Sequence, residues 1–175
     1  MLSVWKNKVI LQTDRCSNHE NLSQFNNMRK AVFLGSFDPY TIGHHSIVRR
    51  ALPLFDSIVI GIGHNERKQY MLSAEERLEA IRKVYADEPR IEVKTFDDLA
   101  VNFARREGAQ FILRGVRTVK DFEFEREQAD FNRRLSGVET IILFAEPGME
   151  SISSTNLREL IHFGQDVTKF LPRTP

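Results

Sequence analysis

The stretch AVFLGSFDPYTIGHH, residues 31 to 45, combines a strand, a glycine-bounded loop and the start of a helix. The apolar run Ala31–Leu34 predicts a buried strand, and Gly35–Ile42 is predicted to be a loop. From Gly43 to Phe55 the apolar residues recur at helical spacing, which predicts a helix with one buried face. A strand that leads directly into a helix is the opening unit of a parallel α/β sheet.

The same alternation continues along the chain. Ser73 and Glu76 have the spacing of a capping box, Asp97 is expected to cap a helix that stops at Gly108, and Gly137 should end another helix. Further strands are predicted at 57–62, 91–95, 110–113 and 140–144, and further helices at 73–85, 97–108, 119–135 and 154–163. These elements predict one doubly wound α/β domain, with its ligand site after strands one, two, four and five.

Composition narrows the class of protein. The 175 residues are 41% hydrophobic, which is enough for one core, and 25 basic residues nearly balance 24 acidic ones. Such a balance argues against a nucleic-acid-binding module and against attraction to an acidic membrane. A single cysteine, and the lack of an apolar run of roughly 20 residues, predict a cytoplasmic protein that does not span a membrane.

The first 27 residues are polar and rich in asparagine, without the apolar core of a secretory signal. Met28 stands directly before the first strand. We therefore expect the domain to occupy residues 28–175, and residues 1–27 to be a disordered leader or an artefact of start-site choice.

The loop after the first strand has the features of a phosphate site. Gly35 and Gly43 give backbone freedom, and His44 lies in the first helical turn, where free N–H groups and the helix dipole favour an anion. The chain has no P-loop motif, and Gly61 and Gly63 lack the third glycine of the dinucleotide fingerprint. A P-loop ATPase and an NAD enzyme are therefore disfavoured.

Four stretches carry a resemblance to a known family: GSFDPYTIGH at 35–44, RKQYMLSAEER at 67–77, ILRGVRTVKDFEFE at 112–125 and SISSTNLRE at 151–159. Together they resemble the T/H-x-G-H nucleotidyltransferases, and among these the bacterial phosphopantetheine adenylyltransferases. The resemblance implies a Rossmann-like five-stranded sheet and transfer of AMP from ATP to 4'-phosphopantetheine, which gives dephospho-coenzyme A and pyrophosphate. It also implies a homohexamer and feedback inhibition by coenzyme A.

The resemblance assigns roles residue by residue. His44 matches the histidine that holds the ATP phosphates in the transition state, and Ser36 matches the hydroxyl residue that orients the pantetheine phosphate. Lys68 matches a residue that contacts both reacting phosphates, and Arg114 one that binds the pantetheine phosphate. Ala100 falls on the loop that lines the pantetheine site. ATP contacts are implied for Ser36, Phe37, His44, Gly115, Val116, Arg117, Glu125, Glu150, Ser151, Ile152, Ser153, Ser154, Thr155 and Asn156.

These residue types suit the attack of one phosphate on another, since a phosphate monoester is already a nucleophile and the enzyme must mainly position and neutralise. Lys68 offers a mobile point charge, and Arg114 a planar fork for a phosphate. Because Arg114 closes a buried strand, it should have an anionic partner. Mg²⁺ is expected to arrive with ATP, and the sequence has no transition-metal motif.

Simpler interpretations stand beside these. His44 alone, or Ser153–Thr155, could merely cap a helix, and His45 is expected to be structural. Glu150 stands where many relatives carry an aromatic residue. Rival functions are a nucleotidyltransferase for nicotinamide mononucleotide or for a phosphorylated alcohol with CTP, and a coenzyme A sensor without turnover.

Overall fold

The computed structural model describes residues 28–65 and 67–175. Within them, five parallel strands form one sheet in the order β3-β2-β1-β4-β5. The strands are β1 (Lys30–Gly35), β2 (Ser57–Gly63), β3 (Ile91–Phe96), β4 (Phe111–Val116) and β5 (Glu139–Phe144). The doubly wound α/β prediction is confirmed, while the predicted leader at 1–27 lies outside the described residues. Strand order reverses at β1, which places a crevice at its carboxyl end.

Helices cover both faces of the sheet. One apolar core joins the sheet to the first two helices through side chains such as Ile47, Ile60 and Ile81. A second core lies on the opposite face, where Val59 and Phe103 are buried. The helices are α1 (Ile42–Ala51), α2 (Ala74–Val84), α3 (Ala100–Arg106), α4 (Val119–Ser136) and α5 (Ser154–His162), with 3-10 turns at Leu52–Leu54 and Thr168–Phe170.

Helix ends follow local capping chemistry. The Ser73 hydroxyl accepts the Glu76 N–H, and the Glu76 carboxylate accepts the Ser73 N–H at 2.8 Å, so the predicted capping box starts α2. Gly137 ends α4 with a φ of 76°, a left-handed conformation that glycine adopts without a steric penalty. No helix in the described part of the chain is long and apolar enough to cross a membrane.

Several predicted boundaries were wrong, and three of them have a clear physical reason. Helix α1 stops at Ala51, and Pro53, which has no N–H to donate, lies in the 3-10 turn that follows. Asp97 does not cap α3, because it directly follows β3, which runs to Phe96, and the helix begins after Leu99, its N-cap. Strand β4 continues to Val116, since β5 pairs with it along its whole length.

Candidate active site

A large cleft, with a volume of about 1490 Å³, opens at the carboxyl edge of the sheet. Residues after strands one, two, four and five line it, as predicted. The loop after β3 contributes as well, through Asp97 and Asp98. This volume exceeds the roughly 300–1,000 Å³ that is usual for the pocket of one small ligand.

Most of the predicted site residues meet in this cleft. Those that line it are Ser36, Phe37, His44, Lys68, Arg114, Gly115, Val116, Arg117, Glu125, Ile152, Ser153, Ser154 and Thr155. Ala100, Glu150, Ser151 and Asn156 are not among its lining residues. Ala100 is the first residue of α3, and the other three flank the lining segment of the β5–α5 connection. The contacts predicted for these four residues stay predictions.

The loop after β1 forms the floor of the cleft. A Cβ on Gly35 would lie 2.7 Å from the Phe37 ring, so only glycine allows that ring to fold back under the strand. Phe37 itself has a φ of 50°, which is uncommon for a residue with a side chain and is found at constrained functional loops. Its buried ring meets the His44 imidazole edge-on, with 5.1 Å between centroids.

His44 is both a capping residue and a cleft residue. Thr41 is the N-cap of α1, and the Thr41 backbone N–H donates to His44 Nδ1 at 3.0 Å. Because Nδ1 accepts this hydrogen bond, the neutral imidazole must carry its proton on Nε2. Nε2 lies on the opposite edge of the ring, and His44 lines the cleft. The helix cap therefore leaves an N–H donor for a ligand.

The environment of His44 keeps it neutral. Burial lowers its pKa from 6.5 to about 4, and the nearby guanidinium groups of Arg117 and Arg114 add to the decrease. A charged imidazole is disfavoured among these cations while no anion is bound. At neutral pH, His44 is thus a fixed hydrogen-bond donor without a formal charge.

Arg114 lies on β4 and is held by three contacts. Its Nε donates to Glu125 Oε2 at 2.7 Å, its Nη2 donates to Glu125 Oε1, and its Nη1 donates to the Leu34 carbonyl at 2.5 Å. The anionic partner expected for this arginine is therefore Glu125 on α4. Three of five N–H groups are used, which leaves one on each terminal nitrogen for an anion in the cleft.

Glu125 has a different environment from Glu123. Both lie on α4, and Glu123 is exposed while Glu125 is buried. The predicted ATP contact of Glu125 stays untested. Its observed contact is the ion pair with Arg114, in which its side chain is 10% exposed.

Sequence reasoning missed two residues that join the loops of the cleft. The buried Asp38 carboxylate accepts the backbone N–H groups of Met71 and Leu72 at 2.8 and 3.0 Å. Arg158 on α5 donates to the Asp38 carbonyl at 2.7 Å and also lines the cleft. Both residues lie inside stretches that carried the resemblance, and Arg158 is four residues after Ser154, on the same helix face.

The start of α5 adds a further anion-binding element. The Ser153 hydroxyl accepts the Asn156 N–H at 3.0 Å, so Ser153 is the N-cap, as the simpler interpretation held. The Ser154 hydroxyl instead donates to the Pro39 carbonyl at 2.8 Å and ties the helix to the loop after β1. Capping and anion binding are compatible here, since Ser153, Ser154 and Thr155 at the helix start line the cleft.

The charge of the cleft favours anions. Its basic side chains are Arg67, Lys68, Arg114, Arg117, Lys120 and Arg158. Three of its carboxylates form ion pairs with arginines: Glu125 with Arg114, Asp121 with Arg117 at 3.1 Å, and Asp98 with Arg106 at 3.0 Å. Within residues 28–65 and 67–175, no group of three or more histidine, cysteine, aspartate or glutamate side chains could hold a metal ion.

Comparisons with known proteins agree with this geometry. The profile of the cytidylyltransferase-like family matches residues 32–160. Phosphopantetheine adenylyltransferase from Phocaeicola vulgatus is 57% identical over 145 residues, which are 83% of this chain and 96% of that protein. The enzyme of the same name from Bacteroides fragilis is 54% identical over 146 residues, which are 83% of this chain and 97% of that protein.

A solved structure shares the fold. The bifunctional NMN adenylyltransferase/ADP ribose pyrophosphatase from Francisella tularensis superposes with a TM-score of 0.62 at 14% identity. The match covers 85% of this chain and 46% of that chain. Sheet order, cleft and sequence identity over most of the chain agree, and this chain belongs to the phosphopantetheine adenylyltransferases, within the cytidylyltransferase-like family.

Proposed function

We propose that this protein transfers the AMP moiety of ATP to 4'-phosphopantetheine and releases dephospho-coenzyme A and pyrophosphate. The observation that carries the proposal is that one cleft contains two kinds of donor. They are the neutral Nε2–H of His44 and the remaining N–H groups on the terminal nitrogens of Arg114. The relatives that share about half of its residues are named for this enzyme.

The reaction needs one bond change at phosphorus. An oxygen of the pantetheine phosphate attacks the α-phosphorus of ATP, a new O–P bond forms, and the bond from the α-phosphorus to the bridging oxygen breaks. Pyrophosphate leaves with the electron pair, so charge balances without a covalent enzyme intermediate or a general base. The task of the protein is to bring two anions together and to stabilise the charge that moves to the bridging oxygen.

Each cleft residue has a place in this scheme. The two remaining N–H groups of Arg114 bind the pantetheine phosphate in bidentate geometry. Ser36 and Lys68 complete that subsite. His44 donates from Nε2 to an oxygen of the triphosphate, where negative charge grows in the transition state. The start of α5 and Arg158 receive the outer phosphates.

Magnesium enters as part of the substrate. MgATP carries the ion on its own phosphate oxygens, where Mg²⁺ neutralises charge. The protein contributes basic side chains to the same neutralisation, among them Lys120 and Arg117, which line the cleft.

Assembly and regulation extend the proposal. A homohexamer would cover the apolar side chains that are exposed on α4 and β5. Phe131, Leu135 and Phe144 are 58%, 48% and 64% exposed, and β5 is an edge strand of the sheet. Coenzyme A contains both the pantetheine and the adenylyl parts of the product, so it would occupy the same cleft as a feedback inhibitor. The cytoplasmic location stays a prediction.

Pyrophosphate release tests the activity. The purified protein is given MgATP with 4'-phosphopantetheine, nicotinamide mononucleotide or glycerol phosphate, and CTP is compared with ATP. Turnover with MgATP and 4'-phosphopantetheine alone supports the proposal, and selective use of another pair would replace the substrate assignment. Tight coenzyme A binding without turnover would identify a sensor instead.

Oligomeric state is tested separately. Sedimentation velocity of the wild-type protein should give the mass of six chains, and Phe144→Asp should shift it to smaller species, because a charge replaces an apolar contact. A monomeric wild-type protein at micromolar concentration would contradict the hexamer without touching the proposed reaction.

A further inference from the structure

A connected group of three side chains lies next to His44, outside the lining of the cleft. The ring of Tyr40 stacks on the His44 imidazole, with 5.4 Å between centroids and an interplanar angle of 23°. The Tyr40 and Tyr85 hydroxyl oxygens are 2.7 Å apart, and the Tyr85 hydroxyl lies 3.0 Å from His45 Nδ1. Tyr40 and Tyr85 are only 5% and 7% exposed. None of the three is a lining residue of the cleft.

The hydrogen bonds of this group run in one direction. Burial raises the pKa of Tyr40 and of Tyr85, so both keep their protons, and burial lowers the pKa of His45. With a neutral His45 that accepts at Nδ1, Tyr40 donates to Tyr85 and Tyr85 donates to His45. The reverse direction would leave the buried Tyr40 proton without an acceptor among the described contacts of that hydroxyl.

The group connects separate parts of the fold. Tyr40 lies in the loop after β1, His45 on α1, and Tyr85 is the C-cap residue of α2. A hydroxyl that is anchored by two helices therefore fixes the orientation of the Tyr40 ring. That ring covers one side of His44, while Phe37 meets the imidazole edge-on at 84°.

We propose that Tyr40, Tyr85 and His45 form a positioning network that fixes the plane of the His44 imidazole and so aims Nε2–H at the reacting phosphate. This inference rests on the proposed role of His44. The hydrogen bond from the Thr41 N–H fixes the position of Nδ1, but the imidazole could still rotate about that contact. The stacked Tyr40 ring limits this rotation. Sites of this kind need orientation within about 10–20°.

The test is Tyr85→Phe, which removes one hydroxyl and keeps the ring. The expected kcat is about 5- to 20-fold lower, because the donor is less well aimed, while the KM values for ATP and 4'-phosphopantetheine change less than about 2-fold. A loss confined to kcat is what positioning of a transition-state donor predicts. An unchanged kcat, or a loss that falls on KM, would overturn the inference.

Two companion variants separate positioning from stability. The double variant Tyr40→Phe with Tyr85→Phe removes both hydroxyls, so no buried hydroxyl is left unpaired and the melting temperature should recover relative to Tyr85→Phe. Its kcat should stay low, because the Tyr40 ring is still not anchored; recovery of kcat together with melting temperature would mean a merely structural role. Ser136→Ala is the matched control, since it deletes a bonded hydroxyl at the end of α4. It should lower the melting temperature without changing kcat.

A spectroscopic measurement is independent of turnover. The ¹⁵N resonances of the His44 imidazole report its tautomer and its pKa, which is held at about 4 by burial and by Arg117 and Arg114. In Tyr85→Phe the looser ring admits water, so the pKa should rise toward 6.5 while both arginines remain. An unchanged His44 titration would overturn the network. Full turnover of His44→Ala would instead overturn the proposed role of His44, and the titration would still decide the network.

Discussion

His44→Ala removes a neutral donor that lines the cleft and that we propose binds the triphosphate. Its Nδ1 is occupied by the Thr41 N–H at 3.0 Å, so the proton is on Nε2 and is available before substrate binds. Loss of a single preorganised transition-state donor costs about 2.7–4 kcal/mol, which corresponds to a kcat that is about 100- to 1,000-fold lower. Because this interaction strengthens in the transition state, KM for ATP should change much less.

The pH profile sharpens the same prediction. With a pKa of about 4, His44 is charged in only about one molecule in a thousand at pH 7. The pH profile of kcat/KM reports groups of the free enzyme, so it should show no step from His44 between pH 6 and 8. If His44 instead acted as a general acid, it would have to be protonated in order to transfer a proton. Activity would then fall as the pH rises through that range.

The assay is pyrophosphate release, with saturating MgATP and 4'-phosphopantetheine for kcat and with limiting MgATP for the pH profile of kcat/KM. His162→Ala is the matched control, since His162 is an exposed histidine at the end of α5 and does not line the cleft. Circular dichroism establishes that both variants are folded. Turnover of His44→Ala within about 3-fold of the wild type would refute the reasoning, as would a wild-type profile with a step near pH 7 that disappears in this variant.

Four further predictions concern other contacts. Arg114→Lys keeps the charge, but a lysine cannot make bidentate contacts to Glu125 and to a phosphate at the same time. In steady-state kinetics, kcat/KM for 4'-phosphopantetheine should therefore fall about 10- to 100-fold. Asp38→Asn leaves one of two bonded backbone N–H groups without an acceptor, and urea unfolding should show a loss of about 1–3 kcal/mol. Ser73→Ala removes the cap of α2 and should cost about 1 kcal/mol in the same measurement, while kcat stays unchanged. The folded protein holds the His44 pKa below that of the unfolded chain, so the free energy of unfolding should decrease as the pH falls from 6.5 to 4, and His44→Ala should flatten that part of the curve.

Local signals were enough for many elements of the fold. The Ser73–Glu76 capping box and the left-handed Gly137 are properties of a few neighbouring residues, and both ends were predicted where they occur. The alternation of strands and helices likewise predicted a parallel sheet, because apolar residues follow one pattern in strands and another in helices, and the two patterns differ clearly in the sequence. Boundaries that depend on a neighbouring strand were not predictable in this way. The last residues of β4 are extended because β5 pairs with them, and the sequence of β4 contains no sign of that partner.

The same distinction between local sequence and tertiary contacts applies to the candidate site. The sequence by itself determined which residues are available for phosphate chemistry, since His44, Lys68 and Arg114 stand in recognisable stretches at the ends of strands. Only the tertiary structure decided what these residues can do. It pairs Arg114 with Glu125, it turns His44 into a neutral donor through burial and Thr41, and it places Tyr40 and Tyr85 behind the imidazole. Protonation state and donor direction depend on neighbours that are distant in the chain, and folding alone brings those neighbours together.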